Sequence, residues 1–408
     1  MEDYDYVIIG AGLAGLYSAY LLKKKNPDVK LVILEKTNSI GGRILIKKFH
    51  GIDVLLGSGV GRKDKDHLLL NLLKDLGFND IHEGISDHIY LNNTKFKFLK
   101  VKKVFKNVAT NLNKTFSNFA KEILGETDYK KFINAAGFTD YEKADYYDVV
   151  NYYGMEDNIK STKIFYIPWR QFIEKMVCFI GSKNIKLNCE VTSIDVNASN
   201  KHVKDQFDKH VKYQFDKHDE SSISAKKVIC AGTINTLRKL FPANDIYKEI
   251  KAQPFFRVYV KFADESIKTL KNKIKKTVVV GYPLQKILPI DSLKGIYMIA
   301  YTDNDYAKDL HNIMKNKTKQ EFHIYLEKVV NNIINSHVKI EDSISYYWSV
   351  GTHYNKPLSN KYKDRYDFIE HAQRPFGMDK QVYVVGEVVA LHQGWCEGAL
   401  ESVVNILK

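Results

Sequence analysis

Apolar positions near the start of the chain fall into short runs separated by polar residues. Val7-Ile8-Ile9 closes a run from Asp5 that reads as a short buried strand. Leu16 to Lys25 reads as a helix, and Lys30 to Leu34 as a second strand ending at Glu35. The far end repeats the pattern, with a strand at Val382-Tyr383-Val384-Val385 and a helix from Trp395 onward. Between them, Phe78 to about Thr162 is rich in helix-like and polar segments. Phe165-Tyr166-Ile167-Pro168-Trp169 then leads into a helix over Arg170 to Ile180. Ile185 to Asp195 and Ala225 to Ala231 form a strand-like pair, and Pro254 to Phe262 reads as another strand.

The chemistry sits where these runs break. Between the first strand and the first helix stands Gly10-Ala11-Gly12-Leu13-Ala14-Gly15. In a strand–glycine–helix unit each glycine has its own task. Gly10 permits the tight turn, Gly12 lets the backbone approach a pyrophosphate, and Gly15 lets helix and strand pack closely. The N-terminus of the helix offers N–H groups and a partial positive charge to phosphates. Glu35, twenty residues after Gly15, is placed to accept ribose hydroxyls and repel a 2′-phosphate. The C-terminal strand leads into Gly386-Glu387, and Gly394-Trp395-Cys396-Glu397-Gly398-Ala399 follows. A nucleotide site completed by the far end of the chain points to FAD held along its length, rather than to a detachable nicotinamide cofactor.

After Glu35 come Ile40-Gly41-Gly42-Arg43 and Gly57-Ser58-Gly59. With these the sequence resembles the flavin-containing amine oxidase family, which spans monoamine, polyamine and L-amino-acid oxidases. The resemblance implies a discontinuous FAD-binding Rossmann-like domain over 1–77, 181–250 and 370–408. A mixed α+β substrate domain would occupy 78–180 and 251–369. Arg43 matches an arginine that contacts the FAD pyrophosphate, a task suited to the forked donors of a guanidinium. Seven arginines against fifty-five lysines make an arginine there more telling. By the same resemblance Gly57, Gly386 and Cys396 lie against the cofactor. Val191, in Glu190-Val191-Thr192-Ser193-Ile194, sets its backbone against the adenine. Glu387 fixes the ribityl–phosphate region, and the helix after Gly394 points its N-terminus at the flavin.

The resemblance also implies the reaction. The substrate C–H lies over flavin N5 with the amine unprotonated, and a hydride equivalent leaves. The imine then hydrolyses, and O2 takes the electrons as hydrogen peroxide. Trp395 matches an aromatic that stands perpendicular to the flavin ring. Tyr354, in Tyr347-Trp348-Ser349-Val350-Gly351-Thr352-His353-Tyr354, matches its opposite number, and the two would form a cage for the amine. His353 falls where some relatives carry a cysteine bonded to the flavin; noncovalent FAD is the expectation. Arg257 takes the place of a lysine that holds a water near N5. An arginine stays charged and cannot act as a base. Its open roles are to stabilise reduced flavin or to bind a substrate carboxylate. Amines, polyamines and amino acids all remain open as substrates. So do a desaturase or protoporphyrinogen-type oxidase, and a catalytically inactive flavoprotein that binds a partner.

The totals set outer bounds. A chain of 408 residues, 44% hydrophobic and 12% aromatic, has material for two domains around folded cores. The net charge of +14 comes from scattered lysines with no nucleic-acid-binding motif, as an AT-rich coding sequence would produce. Cys178, Cys189, Cys230 and Cys396 have no metal-ligand spacing and form no disulfide framework, so a reducing, cytoplasmic setting is expected. No signal peptide, membrane span or C-terminal membrane anchor is expected. Val203 to His210 and Val211 to His218 agree at seven of eight positions. That pair reads as a tandem duplication in a surface hairpin, not as a metal site.

Overall fold

Two β-sheets organise the chain, and the computed structural model describes residues 2–90, 113–153, 161–196, 209–216 and 219–407. In the first sheet Asp3–Ile9 pairs in parallel with Leu31–Leu34 and with Asp219–Cys230. Val382–Val384 joins Asp219–Cys230 in parallel, and Ile185–Lys186 lies beyond Leu31–Leu34. Parallel strands need cover on both faces, and the side chains alternate accordingly. Val7, Ile9, Val32 and Leu34 enter one apolar cluster with Ile234, Leu237 and Phe368. Ile8, Leu31 and Ile33 enter another, under the helices Leu13–Lys25, Trp169–Ile180 and Cys396–Leu407.

Several expected boundaries shift. The first helix starts at Leu13, not Leu16, because Gly12 is already its extended N-terminal cap. The expected strand over Ile185 to Asp195 is two pieces. Asn188 between them takes a left-handed φ of 56°, and each piece joins a different neighbour. The strand expected at Ala225 begins at Asp219, since its polar first half pairs with Lys209–Phe215. The duplication is therefore more than a surface hairpin. Its second copy supplies this strand, with Val211 and Tyr213 buried; 203–208, 217 and 218 lie outside the described residues. The stretch from Phe78 is helical only in part, since Glu83–Ser86, His88–Tyr90 and Thr162–Phe165 are strands. Some of it, 91–112 and 154–160, is outside the described residues.

The second sheet runs in the order Ile340–Asn355, Ile250–Phe262, Ile296–Asp303, Gln285–Asp291, Thr277–Gly281, His88–Tyr90. Its central strand alternates faces. Phe256, Val258, Val260 and Phe262 pack with Leu310, Phe322 and Leu326 of the helices behind. Arg257 and Tyr259 face the other way, toward Leu55. The segment with His353 and Tyr354 is the end of the sixteen-residue strand Ile340–Asn355. A helical cap, Phe116–Ala136 and Tyr146–Asn151, closes over Tyr354 with a cluster that includes Phe116, Phe132 and Tyr141.

Candidate active site

The glycine turn is built as its spacing requires. Gly10 has a φ of +101°, and a Cβ on Gly15 would stand 1.9 Å from the Gly10 carbonyl oxygen. Gly12 faces Gly42 backbone to backbone, and a Cβ there would meet nothing nearer than the Gly42 Cα at 3.9 Å. Glu35 is tied into the same turn. It accepts the Ala11 N–H at 2.8 Å on one oxygen, and the Thr37 N–H and hydroxyl at 2.9 and 2.8 Å on the other. A carboxylate has about four acceptor positions, so one remains for a further donor.

Arg43 leaves this turn for the C-terminal end of the chain. Its Nη1 donates to Glu387 at 2.8 Å and to the Gly351 carbonyl at 2.9 Å. Gly57 makes room for it, because a Cβ at Gly57 would lie 1.9 Å from the Arg43 carbonyl oxygen. Glu387 is buried, and the chain surrounds it with donors. The Gly394 N–H lies at 2.7 Å, the His353 N–H at 2.9 Å and the His353 Nδ1 at 2.6 Å. Burial alone would raise the Glu387 pKa; His353 and Arg43 outweigh it and hold the carboxyl well below the usual carboxylate range. His353 Nε2 accepts the Ile234 N–H at 3.2 Å, so the ring carries its proton on Nδ1. Burial lowers the His353 pKa against the pull of Glu387. Both ring nitrogens of His353 are thus occupied by protein groups.

The remaining expected residues fall around this centre. Cys396 begins the last helix, with its sulfur 3.4 Å from the Ser58 hydroxyl; burial pushes its thiol up to about 12. The Trp395 indole N–H donates to buried Asp66 at 2.8 Å, and Arg62 holds that carboxylate at 2.8 Å. Tyr354 and Gly394 line a cavity together, and Trp395 does not line it. No ring contact joins Tyr354 to Trp395 among the described residues. Arg257 donates to the Leu55 carbonyl at 2.7 Å, two residues before Gly57, and its guanidinium lies 4.4 Å over the Tyr301 ring. Val191 packs apart from these, at a bulge in its strand, in the cluster of Ile9 and Leu34. Gly386, with a φ of +120°, turns the chain into Glu387.

Two features carried no sequence signal that was used. Glu397, inside the C-terminal motif, accepts the Leu68 and Leu69 N–H groups at 2.7 and 3.0 Å and so caps the helix His67–Asp75 from the opposite end of the chain. Beneath the cavity, Asp140, Asp303 and Lys286 form a buried charged group. The Tyr153 hydroxyl donates to Asp140. Asp303 accepts from Thr139, the Asp140 N–H and Gln285. Burial and Asp303 push the Asp140 carboxyl up to about 8, and burial lowers Lys286 to about 7. In the sequence Lys286 follows Gln285 and precedes Ile287-Leu288, which does not distinguish it from the other lysines.

The residues fit a dinucleotide flavin. The thirteen-residue helix Leu13–Lys25 has no side chain capping its N-terminus, and the backbone of Gly41 and Gly42, next to Arg43, packs against its cap residue Gly12. Among the described residues no cluster suits a metal ion, and no helix is long and apolar enough to cross a membrane.

Comparison with known proteins agrees with this geometry. The whole chain superposes on a solved double mutant of putrescine oxidase, redesigned in cofactor binding, with a TM-score of 0.67 and 11% identity over 98% of that chain. This likeness shows the fold. Curated relatives match over short stretches. A coproporphyrinogen III oxidase of Staphylococcus aureus is 38% identical over 21% of this chain and 18% of its own length. An uncharacterised protein of Acanthamoeba polyphaga mimivirus is 26% identical over 27% and 24%. A thiamine thiazole synthase of Fusarium oxysporum f. sp. lycopersici is 58% identical over 10% and 12%. The chain thus spans a quarter or less of each of these three relatives. Family profiles reach further: that of an NAD(P)-binding Rossmann-like domain matches residues 8–76, and that of flavin containing amine oxidoreductase matches residues 129–404. A match over most of the chain, on a fold whose two ends meet at Arg43 and Glu387, shows that the chain belongs to the flavin-containing amine oxidoreductase family.

Proposed function

We propose that the protein oxidises the C–N bond of an amine with noncovalently bound FAD, and that O2 reoxidises the cofactor. When bound, the flavin supplies a two-electron acceptor for the carbon next to nitrogen. The first helix N-terminus and Arg43 would hold the pyrophosphate, and the open acceptor position of Glu35 a ribose hydroxyl. Glu387, fixed on both oxygens, would orient the ribityl region. The occupied nitrogens of His353 support the noncovalent reading.

The observation that carries the amine reading is the cavity beside Gly394. It is a small, partly open hollow lined by Tyr354, Tyr141, Tyr152 and Tyr153, with Asp140 at its wall. Ring faces attract a cationic nitrogen, and the apolar sides of the same rings keep water from it. Anaerobic titration of the holoenzyme with a panel of amines and amino acids tests the proposal. Bleaching of the flavin by amines is expected, with hydrogen peroxide formed when air is admitted. A second reading, a non-amine substrate, is favoured by the stretch shared with a coproporphyrinogen III oxidase. A flavin that no amine or amino acid bleaches would move the assignment there.

A further inference from the structure

The cavity beside Gly394 has one carboxyl in its wall that makes no direct ion pair among the described residues, although Lys286 acts on it from behind. Its lining includes two carboxyls, Asp140 and Asp148, and no lysine or arginine. Asp148 is paired with Arg365, Nε to Oδ2, at 2.7 Å. Asp140 has no ion pair among the described residues; its side-chain oxygen accepts from Tyr153 and its backbone carbonyl from Gln253. A second group in the same wall also lacks a partner. The Tyr141 hydroxyl is fully buried, lines the cavity and makes no hydrogen bond among the described residues. Buried polar atoms are nearly always satisfied, so an orphaned hydroxyl beside an unpaired carboxyl marks a place for a ligand with several donors. The rings of Tyr141 and Tyr153 stand 5.3 Å apart, giving that ligand two aromatic walls.

We propose that Asp140, oriented by the Tyr153 hydroxyl, receives the cationic nitrogen of the substrate, and that the cavity therefore takes amines that carry no α-carboxylate. This rests on the amine-oxidation reading and narrows it. An ammonium group brings three donors, enough for the Asp140 carboxylate and the Tyr141 hydroxyl together. A carboxylate one carbon away would meet the Asp140 carboxylate with no lysine or arginine in the lining to balance it. Arg257, the residue open to binding a carboxylate, faces Leu55 and Tyr301 and does not line this cavity.

The groups that face Asp140 set its protonation. Asp303 lies behind it at the end of Ile296–Asp303, Lys286 comes from the neighbouring strand, and Tyr153 and Tyr141 flank it. Burial and Asp303 push the carboxyl up, against the pull of Tyr153 and Lys286, and so favour its protonated form when the cavity is empty. A bound ammonium favours the carboxylate, so one proton leaves for solvent as the ion pair forms. The ammonium keeps its own protons in that binding step, and charge balances; where the bound nitrogen is the one oxidised, it must lose one further proton before the C–H bond breaks.

Calorimetry and flavin absorbance on the anaerobic holoenzyme near pH 7 test this, with two amine and amino-acid pairs as probes: 2-phenylethylamine with phenylalanine, and 1,5-diaminopentane with lysine. In at least one pair the amine should bind about 10-fold or more tighter than its amino acid. Its binding heat should vary with buffer ionisation enthalpy in the sense of proton release. Asp140→Asn should weaken that amine by about 30-fold or more, remove the proton release and leave the amino acid nearly unchanged. Tyr153→Phe, which keeps the carboxyl, should weaken the same amine; it decides the matter if Asp140→Asn does not fold. Amino acids binding as well as their amines, no amine binding in either pair, or an unchanged preference in the folded variants would overturn the proposal. The two readings fail separately. Amines that bleach the flavin equally in wild type and Asp140→Asn remove the receptor and keep the reaction. Amines that bind with proton release and never bleach it do the reverse.

Discussion

Arg43 meets Glu387 across 344 residues of sequence, and the other scarce arginines are placed with similar definition. Arg62 holds Asp66, Arg170 holds Asp53, Arg365 holds Asp148, and Arg238 ties two backbone carbonyls. Rarity singled out Arg43, because a guanidinium kept in a lysine-rich chain answers to geometry rather than to charge alone, whereas Arg257 stood out by taking the place of a lysine. Asp140 was not legible. Its pairing with Tyr153, and the burial that raises its pKa, arise only when the helical cap closes on the second sheet. Arg257, like Arg238, has no carboxylate partner among the described residues. Replacing it with Met strands no anion, and Leu55 keeps the Tyr259 hydroxyl at 2.6 Å. Arg257→Met should therefore change unfolding free energy by no more than about 1 kcal/mol in denaturant titration. Flavin reduction and reoxidation, followed by stopped flow, should shift alike for every amine, and Arg257→Lys should restore them. Glu387 is the contrary case. Its pKa is depressed when folded, so its contribution to stability is present above the ordinary value of 4.5 and is lost as the pH falls below it. Thermal unfolding and flavin release followed from pH 7 to about pH 3 should show that loss. Glu387→Gln should remove it while costing about 3–5 kcal/mol at neutral pH, the usual result of breaking a buried pair.

At the level of elements, continuous apolar runs were the reliable signal. Asp3–Ile9, Leu31–Leu34 and Val382–Val384 are covered on both faces, and their sequences say so without help. The polar half of Asp219–Cys230 could not be read this way. It pairs at the margin of the sheet, where Glu220 is exposed and no apolar alternation is required. The duplicated segment shows how little separates two registers. The copies differ only at Asp205 and Tyr213, and Tyr213 is buried in the strand that forms. Deleting Val203 to His210 brings Lys201-His202 directly before Val211 and so restores the Lys-His-Val-Lys-Tyr-Gln-Phe sequence of that strand. The deletion should leave flavin content unchanged and the melting temperature within a few degrees, since loop-closure entropy varies slowly with length. Tyr213→Asp, which makes the copies identical and sets a carboxylate inside the sheet, should instead lower the melting temperature markedly in a thermal scan.

Across the whole molecule, the joining of the two ends was legible and the cap over the cavity was not. Glycine motifs announced the first because a close backbone approach leaves glycine as the sole choice, as the 1.9 Å clash at Gly15 shows. The second sheet alternates Phe256, Val258 and Val260 with Arg257 and Tyr259, a pattern that fits any half-buried strand and does not name its partners. The seat itself is tied together from distant parts: Arg43 to Glu387, Trp395 to Asp66, Glu397 to Leu68 and Leu69. That wiring has a consequence for biosynthesis. At about 5–20 residues per second, the ribosome needs roughly 20–70 s to carry the chain from Arg43 to Glu387. Through that interval the first glycine turn is exposed without the carboxylate and the helix that complete it. The nascent chain should therefore bind no flavin until residues around 387–402 have cleared the exit tunnel. Stalled chains of graded length, assayed for quenching of flavin fluorescence, should switch from empty to loaded in one step near that point, however early the first motif has emerged.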